Sequence, residues 1–534
     1  MFDCLLRFAE FCLGGCHRQV QIHSRSQYAM VGCSVFTFIS MFATSLTAHG
    51  ARGSLELRAI DSKSQEPTAI YLVLRNSKGR PIFAPQQPRI GDGFVFDGQV
   101  VLDLNPGTYT FEADRGPEYR QLTGHFVIKS GATDNQEINM QRFVDMSLEG
   151  WWSGDLHVER PLRELPLLML ASDLHFANVV TWSNQKNVWE RKPRPKVITE
   201  KVGRHRFYQV MGGRELRAGS EMVFGRLQQP LQLDGNQMGE YPAPFESLRQ
   251  VPKQEQLHAH LNRMDCRDLP VWLASGKVDS VGLLHPGLLP NGSVDAPFSQ
   301  QRDRVLFPEP HGVGRWSQQI YFRLLNAGFK IPPAAGSGAG MNASPLGYNR
   351  VYVHCEQPFT PQSWWDGLRA GRVLLTNGPL LRPRANGRLP GHVFWATGER
   401  LELEIEAKLG TREKIDYFEV IKNGRSEMQV RLEDWVSHEG RLPPVIFEQS
   451  GWMMIRVVTR NQQTYRCACS GPFYVNFQDQ PRISRQSCQF FVDWLYARAR
   501  EIRLEDRQQQ SELMRYYRAA RNFWEKRLAK ANVD

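Results

Sequence analysis

Three changes of rhythm in the hydrophobic pattern divide the chain. Between 53 and 143, Leu55, Leu57 and Ala59 alternate with Glu56 and Arg58, and Ile70-Tyr71-Leu72-Val73-Leu74 forms a continuous apolar run. Period two and short apolar runs spell strands. Turn sequences at Asn76-Ser77-Lys78-Gly79 and Asn105-Pro106-Gly107 separate them, so this stretch reads as a small β-sandwich. From 144 to 380 the texture is α/β: helix over 166–171 then strand over 176–180, and again helix over 269–275 then strand over 278–284. A further helix over 317–327 puts Ile320, Leu324 and Ala327 on one face, with Gly328 as its stop. Helix–strand alternation is the pattern of a β/α barrel. From 381 to 480, Leu401, Leu403, Ile405 and Ala407 alternate with Glu402, Glu404, Glu406 and Lys408, and Asn423-Gly424 after 417–421 signals a hairpin. That is a second sandwich. In 481–534, Phe491, Trp494, Leu495 and Ile502, then Leu513, Tyr517, Ala520 and Trp524, recur at helical spacing. The expected fold is multidomain, α/β plus all-β: a distorted β/α barrel flanked by two β-sandwiches, with a C-terminal helical tail.

Residues 28–48 carry no charge, Arg18 and Arg25 precede them, and Ala48, Gly50 and Ala51 supply small residues at a cleavage site. Segment 1–52 therefore reads as a signal peptide or N-terminal membrane anchor, and the chain as exported to a periplasm, cell envelope or medium. The long stretch before the apolar segment fits a start downstream of Met1, or an anchor that is retained. The net charge of +11 is modest for 534 residues, and no Lys/Arg block resembles a nucleic-acid-binding tract. Of nine cysteines, Cys266, Cys355, Cys467, Cys469 and Cys488 lie beyond the leader, an odd set without framework spacing. Mostly buried thiols are expected, with room for one disulfide.

Candidate chemistry concentrates at Gly154-Asp155-Leu156-His157-Val158-Glu159, where strand periodicity places Asp155, His157 and Glu159 on one face. Either carboxylate can orient the imidazole. Asp173-Leu174-His175 and His258-Ala259-His260 have metal-like spacing. The first reads as a cap or core-edge pairing, and His258 as exposed ahead of a helix. His285, at a strand end, is a candidate ligand or acid/base. Gly336-Ser337-Gly338-Ala339-Gly340 lacks the ending of a phosphate loop and reads as a tight strand exit. Trp151, Trp152, Trp364 and Trp365 read as core or interface anchors.

With Asp268-Leu269-Pro270, Pro333-Ala334-Ala335-Gly336-Ser337-Gly338, Trp364-Trp365-Asp366-Gly367-Leu368-Arg369-Ala370-Gly371-Arg372 and Thr376-Asn377-Gly378-Pro379, the Gly154 motif resembles the polymerase-and-histidinol-phosphatase (PHP) superfamily. The likeness is to its exported CehA/McbA-like branch of metallohydrolases. It spans the middle half of the chain, while 53–143 resembles carboxypeptidase-regulatory-like sandwiches in pattern only. The resemblance implies a PHP-like barrel and a metal site on His157, Glu159, Glu215 and His260, holding one divalent ion such as zinc or manganese. In that case His260 or His285 serves proton transfer. The family's other ligand motifs are replaced by Thr181-Trp182-Ser183-Asn184 and Gly336-Ser337-Gly338, so most donors are missing. Two readings follow. The first is a non-catalytic pseudoenzyme binding a small molecule or envelope component. The second is a hydrolase of ester, carbamate or amide-like bonds with a reduced mononuclear site. The missing donors rank the first ahead.

Overall fold

Apolar alternation in the N-terminal part resolves into two facing sheets. In the computed structural model, which describes residues 51–251, 256–356 and 358–534, Gly53–Asp61 lies between Gln99–Leu104 and Thr133–Met140. A six-stranded sheet built around Ala69–Asn76 and Gly107–Asp114 lies opposite. Leu55, Leu57 and Ala59 share a core with Leu72, Leu74, Phe94 and Phe96. The Asn105-Pro106-Gly107 turn carries the chain from one sheet to the other, and the Tyr109 hydroxyl donates to Asn105 O (3.0 Å) to brace it. The segment 28–48 lies outside the described residues, among which no helix is long and apolar enough to cross a membrane.

The α/β stretch builds one side of a 16-stranded sheet. Its order is Pro333–Ala335, Ser280–Leu284, His258–Leu261, Glu221–Gly225, Phe207–Leu216, Phe176–Ser183, Trp151–Val158, Arg350–His354, Val373–Thr376. The edge beyond Pro333–Ala335 turns back on the Trp151–Val158 strand. Gly338 N donates to His157 O (2.9 Å) and Glu159 N to Ala339 O (2.8 Å). Expected helices appear as Leu165–Ala171, Leu269–Ser275 and Gly312–Asn326. Ile320, Leu324 and Ala327 are buried, and Gly328 takes the left-handed φ of 82° that stops the helix.

The sheet does not end with the α/β part. Val373–Thr376 pairs with Cys467–Ser470, which leads on to Gly451–Thr459, Ile415–Lys422 and Arg425–Val430. A three-stranded sheet, Leu380–Ala385, Leu401–Gly410 and Arg441–Phe447, packs over these through Leu403, Ile405, Val420 and Ile455. Asn423 and Gly424 both take positive φ (51° and 85°), the geometry of the two-residue hairpin turn. The tail is a hairpin of helices, Arg485–Glu501 and Arg507–Ala529, whose Phe491, Trp494, Tyr517 and Trp524 enter the central core. Arg498 and the Tyr517 hydroxyl both donate to the Asp268 carboxylate (2.8 and 2.6 Å). A Cβ on Gly219 would sit 2.1 Å from that carboxylate, so only glycine leaves room. Cys266, Cys355, Cys467, Cys469 and Cys488, the cysteines among the described residues, are buried free thiols.

The first sandwich is clamped to the central sheet by a buried charge cluster. Arg142 donates to Glu118 and to Asp173, each at 2.6 Å, and to the Tyr119 hydroxyl at 2.8 Å. Arg206 also binds Asp173, and the Tyr352 hydroxyl donates to Glu118 (3.0 Å). Burial and the Asp173 charge push Glu118 upward; burial also acts on Asp173, but Arg142 and Arg206 outweigh it and hold that carboxyl far down. Removing one partner from such a cluster strands the others. Arg142→Ala is therefore expected to cost about 3–5 kcal/mol in urea unfolding, with much of it recovered by adding Glu118→Gln and Asp173→Asn. A loss below about 1 kcal/mol would mean the clamp contributes little.

Candidate functional site

Where the parallel strands end, side chains from five positions close a ring. His157 Nε2 lies 2.9 Å from Glu159 Oε1. That same oxygen is 3.2 Å from Arg214 Nε. Arg214 Nη1 is 3.1 Å from Glu221 Oε1, and Asn262 Nδ2 joins Glu221 Oε2 (2.6 Å) to His157 Nδ1 (3.0 Å). His157, Glu221 and Asn262 are buried, and only the Glu159 and Arg214 side chains reach solvent, at 25% and 11% exposure. Arg214 also touches Met341 Sδ (3.1 Å) at the mouth. Burial alone would lower the His157 pKa, yet the hydrogen bond and charge of Glu159, with Glu221 behind, raise it. Burial would raise Glu159, but His157 and Arg214 bring it below its ordinary value.

Period two governs which residues join. His157 and Glu159 meet as the strand pattern requires. Asp155, on the same face, takes another role. Its carboxylate accepts from Ser337 N (2.9 Å), Gly347 N (2.9 Å), His157 N (3.0 Å) and the Ser337 hydroxyl. The glycine-rich segment is thus a strand exit strapped to Asp155, and a Cβ on Gly336 would meet His157 Cβ at 2.8 Å.

Glu215 does not converge with the ring. One residue from Arg214, it faces the other side of its strand, where Arg217 (2.7 Å) and the Ser247 hydroxyl (3.1 Å) occupy it. His260 lies beside the ring, on the His258–Leu261 strand that leads into Asn262. Its Nδ1 pairs with Ser280 Oγ (2.8 Å), while its buried Nε2 has no partner. His258, read as exposed, is buried in the His258–Leu261 strand, shares Ser280 Oγ (2.8 Å) and packs on Trp365. A strand rather than a helix lead-in buries it. His285 is a packing residue: Nε2 meets Ser317 Oγ (3.0 Å) and Nδ1 accepts from Gly287 N (3.1 Å). Trp182 is buried against Gly213, stacked on Phe224, and donates to Met211 O (3.0 Å). Trp151, Trp152, Trp364 and Trp365 are buried as well.

These donors do not fit a divalent ion. A metal asks for four to six free donor atoms. Both His157 nitrogens and both Glu215 oxygens are engaged, and Arg214, a permanent cation, stands between the two ring carboxylates. Among the described residues no three His, Cys, Asp or Glu side chains are arranged to hold one. Sequence reasoning missed Arg214, Glu221 and Asn262. A usable signal was present: Glu221 opens the apolar run Met222-Val223-Phe224, and Asn262 sits two positions after His260, hence on its face.

A cavity of about 680 Å³ opens where the two sandwiches meet the central sheet. Three ion pairs line it: Arg75–Asp92 (2.8 Å), Arg412–Asp114 (2.9 Å) and Arg466–Glu413 (2.7 Å). Arg350, also in the wall, is 2% exposed and has no carboxylate partner among the described residues. It donates to Gly347 O (2.6 Å) and Ser172 O (3.0 Å), while Nη1 has no partner. No family model matches the chain, and no curated protein matches it.

Two tests follow. Arg214→Met leaves Glu159 and Glu221 facing each other without a cation, and is expected to cost about 3 kcal/mol in chemical denaturation; an unchanged midpoint would show that the ring is not held by charge. The second concerns pH. Burial, ahead of other influences, depresses His175, His260 and His285 to about 3 and His258 well below 6.5. Unfolding releases these groups to bind protons, so their contribution is whole above about pH 6.5 and is lost as pH falls. His157 acts oppositely, helping below about 6.5 and fading as pH rises through its folded value. Glu118, raised to about 7 by burial and the Asp173 charge, acts in the same sense as His157, and the four depressed histidines outweigh these two. Urea midpoints should drop from about pH 7 to 5, with up to about 1.4 kcal/mol per pH unit for each depressed histidine. Constant stability over that range would contradict it.

Proposed function

We propose that the chain is a non-catalytic, ligand-binding protein of the cell envelope, built on a PHP-like scaffold whose metal centre has been replaced by an ion-pair ring. The observation that carries this reading is the Arg214 guanidinium between Glu159 and Glu221. A fixed cation there supplies the charge balance that bound metal supplies in a hydrolase of this ancestry, but it offers no open coordination position to a water. Export rests on the uncharged segment 28–48, which also allows a membrane association.

The ligand seat in this reading is the cavity between the sandwiches and the central sheet. Its wall includes Gly347 and Arg350, and Gly347 N donates to Asp155 (2.9 Å), so the strand that carries His157 also fixes the wall. The replaced centre then serves to hold a binding surface in shape. A polar cavity edged by paired arginines and carboxylates suits a small, water-soluble molecule rather than a lipid chain.

Metal analysis tests the proposal. Purified protein incubated with zinc or manganese and desalted should retain far less than one ion per chain by mass spectrometry, as should its His157→Ala variant. About one ion per chain in the wild type, lost in the variant, would overturn the reading and favour a reduced-site hydrolase of esters, carbamates or amides.

A further inference from the structure

A second cavity, of about 450 Å³, lies between the Gly312–Asn326 helix, the Asn423-Gly424 hairpin turn and the start of the Arg485–Glu501 helix. Three arginines from three elements line it: Arg323 from the first helix, Arg425 from the hairpin and Arg482 from the approach to the second helix. Among the described residues none of the three makes an ion pair. Arg323 is held over the Phe490 ring at 4.6 Å, and the Nε atoms of both Arg323 and Arg482 are buried without a partner. Burial lowers the pKa of Arg323, and burial with the nearby Arg425 charge lowers that of Arg482. Two carboxylates face the space. Glu427 is engaged by Lys422 (3.1 Å), and Asp534 is exposed. The remaining wall is polar: Asn326, Asn423, Gln486 and Ser484, the last capping its helix by accepting from Ser487 N (3.1 Å).

Arg323 and Arg482 are half-buried and Arg425 is exposed, and a guanidinium that has lost part of its water gains from a counter-charge. At Arg142, Arg263 and Arg498 the fold supplies that counter-charge itself. Three arginines lining one polar cavity suit the several oxygens and double charge of a phosphate monoester better than the two oxygens of a carboxylate. The positive end of the helix that begins at Arg485 adds to the same field. We propose that this cleft binds a phosphate-bearing anion. The site is independent of the ring and of the reading given to it.

Inorganic phosphate titrated into the full chain, in phosphate-free buffer at fixed ionic strength, tests this by calorimetry and thermal unfolding, with acetate as the control anion. Phosphate is expected to bind saturably and raise the melting temperature, and acetate to do neither. The pair Arg323→Gln and Arg482→Gln should weaken phosphate binding by about tenfold or more. Exposed Arg425→Gln, which leaves the core untouched, should weaken it in the same direction, and Arg518→Gln on the far tail helix should change nothing. Phosphatidylcholine vesicles with and without phosphatidic acid identify the source. Co-sedimentation displaced by phosphate assigns a lipid headgroup; phosphate binding without co-sedimentation assigns a soluble phosphate. Absence of a phosphate response, or phosphate binding by Arg425→Gln and the double variant equal to that of the wild type, overturns the proposal.

Discussion

Arg214 stands between two carboxylates in an apolar interior, and much of the central sheet is arranged around that fact. A buried ion pair is held only when its attraction and hydrogen bonds offset the loss of water. Here the offset is shared around a ring. Glu159 receives His157 and Arg214, Glu221 receives Arg214 and Asn262, and Asn262 returns to His157. With His157 protonated the ring holds two positive and two negative charges; with it neutral, one negative charge remains near the open edge at Glu159. The raised His157 and lowered Glu159 pKa values are two faces of that same contact. A guanidinium suits the position because its planar fork spans two acceptors and keeps its charge at any ordinary pH.

From this centre the other parts are positioned through neighbouring ties. Asp155, two residues before His157, gathers the glycine-rich strand exit and the Gly347 turn. That turn reaches Arg350 and the cavity wall, and the Arg350 strand pairs with Val373–Thr376, which carries the sheet into the second sandwich. Arg142 clamps the first sandwich from the opposite flank, and Asp268 anchors the helical tail. The sandwiches and tail therefore meet the central sheet through buried charge as well as apolar packing. Continuous pairing across residue 376 also means that the α/β part and the second sandwich share a sheet.

The elements were legible because periodicity is local. Leu55, Leu57 and Ala59, the 269–275 helix and the Asn423-Gly424 hairpin each announce themselves within a few residues. The ring was legible only in its local half. His157 and Glu159 are two apart on one strand, so their meeting follows from the pleat. Arg214, Glu221 and Asn262 come from neighbouring strands, and no local pattern states which strands adjoin. Glu215 illustrates how sharply parity decides: its neighbour Arg214 is in the ring while Glu215 is bound on the opposite face by Arg217. His258 was misplaced for the related reason that a polar lead-in conceals a short buried strand.

The ring and the arginine cleft place the same chemistry under opposite conditions. In the ring every charged group has an oppositely charged or hydrogen-bonding neighbour, so an incoming ion must displace a partner before gaining anything. In the cleft, half-buried Arg323 and Arg482 have no acceptor for their buried Nε atoms among the described residues, so an incoming anion meets groups already partly stripped of water. Part of the desolvation that normally opposes ion binding has been incurred by the fold there, and the anion's attraction is correspondingly less diminished. His157 stands out in the sequence, yet both of its ring nitrogens and the carboxylates around it are already engaged. The histidine ring acts as a fastening, and the proposed recognition is placed at the cleft, whose three arginines make no ion pair among the described residues.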